Sequence, residues 1–153
     1  MTGVERVFLD TNVLLTATDP RRAGHAAALR VFERWPTQGT ALFVSGQVLR
    51  EYLVVATRPA AQNGLGLTWR EAIGNVRAFR ERVQILSEDA HTHACLLELI
   101  AEFGVSGKQV HDANIMATLL TGGVSALLTL NREDFARFGA RCTLVDWPGD
   151  PED

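Results

Sequence analysis

Asp10 closes a short apolar run, Val4-Glu5-Arg6-Val7-Phe8-Leu9, and is followed at once by the small polar pair Thr11 and Asn12. In an open parallel sheet the crevice beyond the carboxyl ends of the strands is the place for chemistry, so an acid there has a physical reason to be present. Two readings fit Asp10: a first ligand for a metal ion, or the N-cap of the following helix, since Asp, Thr and Asn all cap well. Three later acids are its candidate companions. Glu51 falls in the second turn after a second apolar run, Asp112 stands beside His111 at a helix entry, and Asp134 follows a fourth apolar run. Carboxylates about 4 Å apart repel by about 4 kcal/mol per pair at an effective dielectric near 20, so a crowd of them calls for protons or a cation. All-oxygen donors without paired His or Cys select Mg²⁺ or Mn²⁺ over zinc. Such an ion keeps waters and takes its other ligands from phosphate, which points to phosphodiester chemistry.

The elements that must position these acids are legible from punctuation and period. Val13-Leu14-Leu15 continues into a short helix that breaks at Asp19-Pro20, and His25 to Trp35 carries an apolar stripe at helical spacing. Ala41–Val44 is a continuously apolar run, the pattern of a strand buried on both faces, and Ser45 follows it as an N-cap. The next helix, from Gly46 to about Ala56, presents Val48, Leu49, Tyr52, Leu53 and Ala56 to the core and leaves Glu51 to one side. A helix then opens at Thr68 with capping-box spacing, its stripe Ala72, Ile73, Val76 and Phe79. Its other faces carry Arg70, Arg77, Arg80 and Arg82, either an RNA contact or a solvated face. Val83–Leu86 is the third strand, and the helix beyond it is expected to turn Ala90, Ala94, Leu97 and Ile100 inward and to stop at Gly104. A polar loop leads into the helix of Asp112, which carries Ile115, Met116, Leu119 and Leu120. Ala126–Leu130 and Cys142–Asp146 are the fourth and fifth strands. Strands alternating with helices give a single α/β domain over 1–147, with a mainly parallel sheet of about five strands, flanking helices and a polar tail at 148–153.

Composition sets the outer bounds. At 153 residues, with 46% hydrophobic and 22% charged, the chain has an ordinary globular balance and can bury its own core without staples. Cys95 and Cys142 form no CxxC and read as small buried apolar residues of a reducing compartment. With no long apolar run and no leader-like N-terminus, a cytoplasmic protein is expected. The net charge of −3 argues against a surface that grips nucleic acid all round. Only Lys108 among the 15 cationic residues is lysine. His91 and His93 lie two apart, on different helix faces, which does not suit a metal.

The segments Asp10-Thr11-Asn12, Ser45 to Glu51, His111-Asp112-Ala113, and Thr129 to Phe135 resemble the four successive motifs of PIN-domain nucleases, above all the VapC-type ribonuclease toxins of type II toxin-antitoxin pairs. The resemblance implies a PIN-like three-layer fold, Asp10 and Asp112 as the main metal ligands, and Glu51 completing the acidic cluster. It leaves the fourth acid between positions 131 and 134; Asp134 is assigned, with Thr129 and Asn131 as supporting polar groups. Thr11, Asn12 and Ser45 would support or cap. It further implies Mg²⁺-dependent hydrolysis of RNA, with Mn²⁺ as a substitute ion, a homodimer, and a small cognate antitoxin over the cleft. Two alternatives remain at this level: a non-catalytic module of the same fold that binds RNA or protein, and a haloacid-dehalogenase-type phosphatase. The latter wants an Asp where this chain has Asn12.

Overall fold

Short β-rich apolar runs bounded by turns become the strands β1 (Arg6–Leu9), β2 (Ala41–Ser45), β3 (Val83–Leu86), β4 (Ala126–Leu128) and β5 (Thr143–Leu144). The computed structural model describes residues 3–149. All strand pairings are parallel and the sheet order is β3-β2-β1-β4-β5. Parallel neighbours need crossovers, and these are α1 (Thr11–Thr18), α2 (His25–Arg34), α3 (Gly46–Thr57), α4 (Trp69–Arg80), α5 (Ala90–Phe103) and α6 (Val110–Thr121). A one-turn α7 (Arg132–Phe135) follows β4. Because every strand runs the same way, every strand ends at the same rim.

The middle of the sheet is its driest part. Val7, Phe8 and Leu9 of β1 are fully buried, as a strand covered on both faces requires. On α3, Val48, Tyr52 and Ala56 are also fully buried. The Tyr52 hydroxyl is satisfied by Thr18 at 2.9 Å and by the Asn75 amide, which donates at 3.1 Å. Ser45 accepts from the Val48 amide at 3.4 Å and starts α3, as its cap role required.

Three expectations are corrected. The inward face of α5 is formed by Thr92, Leu96, Leu99 and Phe103, whereas Ala90 and Ala94 are exposed and Leu97 is 68% exposed. Both sides of this helix are apolar, so the spacing alone does not choose between them. The choice is made at its start, where Asp89 and Thr92 form a capping box and the Thr92 hydroxyl lies 3.3 Å from that of Thr121 on α6. The fifth strand is two residues long instead of Cys142–Asp146, although Val145 still donates to Leu127 O at 2.8 Å. The fourth ends at Leu128, because Thr129 and Leu130 turn away to bond with side chains of α1 and its cap. Residues 150–153 of the expected tail lie outside the described residues. Among the described residues no helix is long and apolar enough to cross a membrane.

The rotation of α5 is testable with two alanines. Leu99→Ala is expected to cost about 2–5 kcal/mol in urea unfolding, and Leu97→Ala to change stability by less than about 0.5 kcal/mol. Equal losses would mean the helix is turned the other way.

Candidate active site

Asp10 extends the pairing of β1 by one residue, its amide donating to Leu128 O at 3.0 Å, and thereby holds a fixed place at the rim between β1 and β4. Its carboxylate is 6% exposed and serves two elements. Oδ1 accepts from the Thr11 amide at 2.8 Å, which starts α1. Oδ2 accepts from the Thr129 hydroxyl at 2.8 Å and the Asn12 amide at 3.2 Å. Burial nevertheless raises its pKa, the hydrogen bonds from Thr129 and Thr11 pull it back, and the charge of Glu51 adds to the rise. So Asp10 is a cap and an acid of the cleft at once.

Glu51 is brought in by α3 and aimed by two donors. The Thr11 hydroxyl donates to Oε2 at 2.7 Å and the Gln47 amide to Oε1 at 2.9 Å. Gln47 is itself buried, also donates to His111 O at 3.0 Å, and accepts from the Asn114 amide at 2.7 Å, so it ties α3 to the entry of α6. Sequence reasoning passed over Gln47 and Asn114. Their signal was relative position: one helical turn before Glu51, and two residues after Asp112, in the same polar stretch.

Asp112, in the first turn of α6, is half-buried, and its carboxyl is pushed up to about 6. Burial is the main cause, followed by the charges of Asp134, Asp10 and Glu51; no hydrogen bond offsets them. Asp112 thus feels the charges of the other three acids, and Asp10 feels that of Glu51. Asp134 is the member from position 134 of the last motif. Asn131 stands back from it, its backbone amide donating to Thr129 Oγ1 at 3.0 Å. Asn12 completes the frame by accepting from the Leu130 amide at 3.1 Å. Ser45 takes no part beyond capping α3. Among the described residues no three His, Cys, Asp or Glu side chains close into a ready-made metal cage. A concavity of about 470 Å³ between Val4, Trp35 and Trp147 holds none of these four acids.

A family model described as PIN domain matches residues 7–140. The chain belongs to the PIN-domain family. The match covers all four acids, and the solved structures agree in fold. The PIN domain superposes on the VapBC2 structure from Rickettsia felis, bound to a promoter DNA fragment, with a TM-score of 0.71 at 18% identity, covering 94% of this chain and 99% of that one. Against DNA-bound VapBC from Salmonella typhimurium the TM-score is 0.69 at 19% identity, over 94% and 98% of the two chains. VapC20 from Mycobacterium tuberculosis, titled a sarcin-ricin loop cleaving toxin, gives 0.65 at 20% identity over 85% and 93%. No curated protein matches at a significant level.

The raised Asp112 carboxyl has a stability consequence with a definite sign. Its proton is held more tightly in the folded chain than at the ordinary 3.8, so its contribution is fully present below that pH and lost as pH rises through about 6. Asp112→Asn removes this loss. In EDTA the variant is expected to melt above the wild type at pH 7.5, the gap closing as pH falls below about 4. A gap independent of pH would show that the Asp112 carboxyl is not raised in the folded chain. Asp10→Asn is a poorer probe, because an amide in that place meets the donors now bound to Asp10.

Proposed function

We propose that this PIN domain is a divalent-metal-dependent ribonuclease and the toxin of a type II toxin-antitoxin pair. The observation that carries the reading is the meeting of Asp10, Glu51, Asp112 and Asp134, from four separate segments, at one rim of the sheet. The donor set fits Mg²⁺ or Mn²⁺. It is all oxygen, it is crowded with like charge, and Asp112 has no hydrogen bond competing for its lone pairs. An open arrangement also fits an ion that takes one or two carboxylates and keeps its remaining positions for water and phosphate.

Asp10 and Asp112 would hold the ion, Asp10 rigidly through its three donors and Asp112 from the opposite wall. Such an ion, when bound, makes water a stronger nucleophile at neutral pH and stabilises charge on the phosphate oxygens. Glu51, fixed by Thr11 and Gln47, is placed to orient the attacking water and accept its proton. Asp134, at the open side on α7, adds to the negative field that recruits the cation. Thr129, Asn12 and Asn131 set the distances by holding Asp10 and the turn after β4 in place.

RNA as substrate accords with the sarcin-ricin loop cleavage named for the Mycobacterium tuberculosis neighbour. A small antitoxin covering the cleft is in keeping with the VapBC complexes that share the fold, and a homodimer and a cytoplasmic setting complete the proposal. Membership in the PIN family leaves the phosphatase alternative without support, and Asn12 is committed to the frame instead of to phosphoryl transfer.

Purified protein freed of any antitoxin is expected to cut structured RNA in Mg²⁺ or Mn²⁺ and to stop in EDTA. Asp10→Asn and Asp112→Asn should each lower the rate by more than about a hundredfold, since even groups that only support metal ligands are worth about 10–100-fold. RNA bound but uncut in either metal would instead identify a non-catalytic binding module.

A further inference from the structure

Beside the acid cleft, and sharing Glu51 with it, a cavity of about 300 Å³ runs along the outer face of α3. Its positions 47, 50, 51, 54, 55 and 58 recur at helical spacing, so a single stripe of α3 leads from the acids to the end of the helix. Three features of this stripe are unexplained by the core or by the acid cluster. Val54 is 56% exposed in mid-stripe, next to the half-buried Val55. Arg50 and Arg58 flank these valines, and among the described residues neither makes an ion pair or a side-chain hydrogen bond, although Arg58 is half-buried. The exposed His111 ring closes the far wall, its own backbone carbonyl pinned by Gln47. Several other arginines are committed, Arg82 donating to Phe32 O at 3.0 Å, Arg132 to Val145 O at 3.0 Å, and Arg70 lying over the Trp69 ring, and Arg50 and Arg58 differ from the remaining unpaired ones in lining a cavity that shares Glu51 with the acids.

Uncommitted guanidiniums suit phosphate, and a flat apolar floor facing an imidazole suits an unstacked base. Seven residues of α-helix separate Glu51 from Arg58, a rise of about 10 Å, which is on the scale of a nucleotide. We propose that this cavity binds the nucleotide adjoining the scissile phosphate, its phosphate held by Arg50 and Arg58 and its base laid between the His111 ring and Val54. The inference rests on the ribonuclease reading of the neighbouring acids. RNA is favoured over a protein occupant because a strand threading the acid cleft must pass one of its walls, and this wall, which shares Glu51 with the acids, pairs unbonded guanidiniums with an apolar floor.

The test is binding of a mixed-sequence single-stranded RNA oligonucleotide to Asp112→Asn protein in Mg²⁺, followed by fluorescence anisotropy over a salt series. Arg50→Ala and Arg58→Ala are each expected to weaken binding roughly tenfold and to flatten the salt dependence by about 0.7 of a log unit per log unit of salt. Arg58→Lys should restore the salt slope, since it keeps the charge, with only part of the affinity. His111→Ala should weaken binding with the slope intact. Unchanged affinity and slope in the arginine variants, their melting temperatures matching the parent, overturn the proposal, as does a loss confined to binding of a protein partner or no RNA binding by the Asp112→Asn parent. RNA bound with these dependences by wild-type protein that cuts nothing would leave the subsite standing and remove the nuclease.

Discussion

Four carboxylates on one rim repel one another, and the rest of the site can be understood as the framework that makes the protein tolerate this. Asp10 is held by the Thr11 amide, the Thr129 hydroxyl and the Asn12 side chain, and Glu51 by Thr11 and Gln47. Each of these donors is held in turn, so the network runs from the turn after β4 through α1 and α3 to the start of α6. Among the described residues Asp112 and Asp134 have no donor on their carboxylates, and at Asp112, the half-buried one, burial and the neighbouring charges together push the carboxyl up to about 6. A charge cluster built this way is held by donors on one side and left unsatisfied on the other, the condition under which a cation is recruited instead of merely accommodated.

The parallel sheet supplies the geometry at little cost to specificity. In an all-parallel arrangement the carboxyl ends of β1, β2 and β4 coincide, so residues far apart in sequence are neighbours without any special loop. α3 then serves two purposes along one cylinder. Val48, Tyr52 and Ala56 anchor it under the sheet, and the face carrying Gln47, Glu51 and Arg58 is thereby fixed in direction. Core packing sets the aim of the polar side.

Much of this was legible in the sequence because strong local signals agreed with the fold. Val7–Leu9 before Asp10 and Ala41–Val44 before Ser45 are apolar runs ended by capping groups, and they became β1 and β2 within a residue or two. Asp10 and Asp134 were found just past strands, and Glu51 and Asp112 early in helices that start near the same rim. What escaped had no local signature. Gln47 and Asn114 are amides whose importance appears only when α3 meets α6, and α5 offered two apolar faces that no period can rank. The face that wins is the one carrying Thr92 and Leu99 against α6 and the core, where the Thr92 and Thr121 hydroxyls lie 3.3 Å apart, a tertiary fact. β5 was overestimated because its apolar run continues past the last residue with a strand partner.

The bond between Thr129 and Asp10 spans 119 positions of chain. A polypeptide emerging from the ribosome displays its first carboxylate early but has no wall to face it until β4 has been made, has crossed back over α5 and α6, and has docked beside β1. Truncated or unfinished chains therefore carry every early acid and no cleft. Whatever the cleft acts on, the synthesising machinery meets no working copy until the chain has been translated through Thr129 and β4 has docked beside β1.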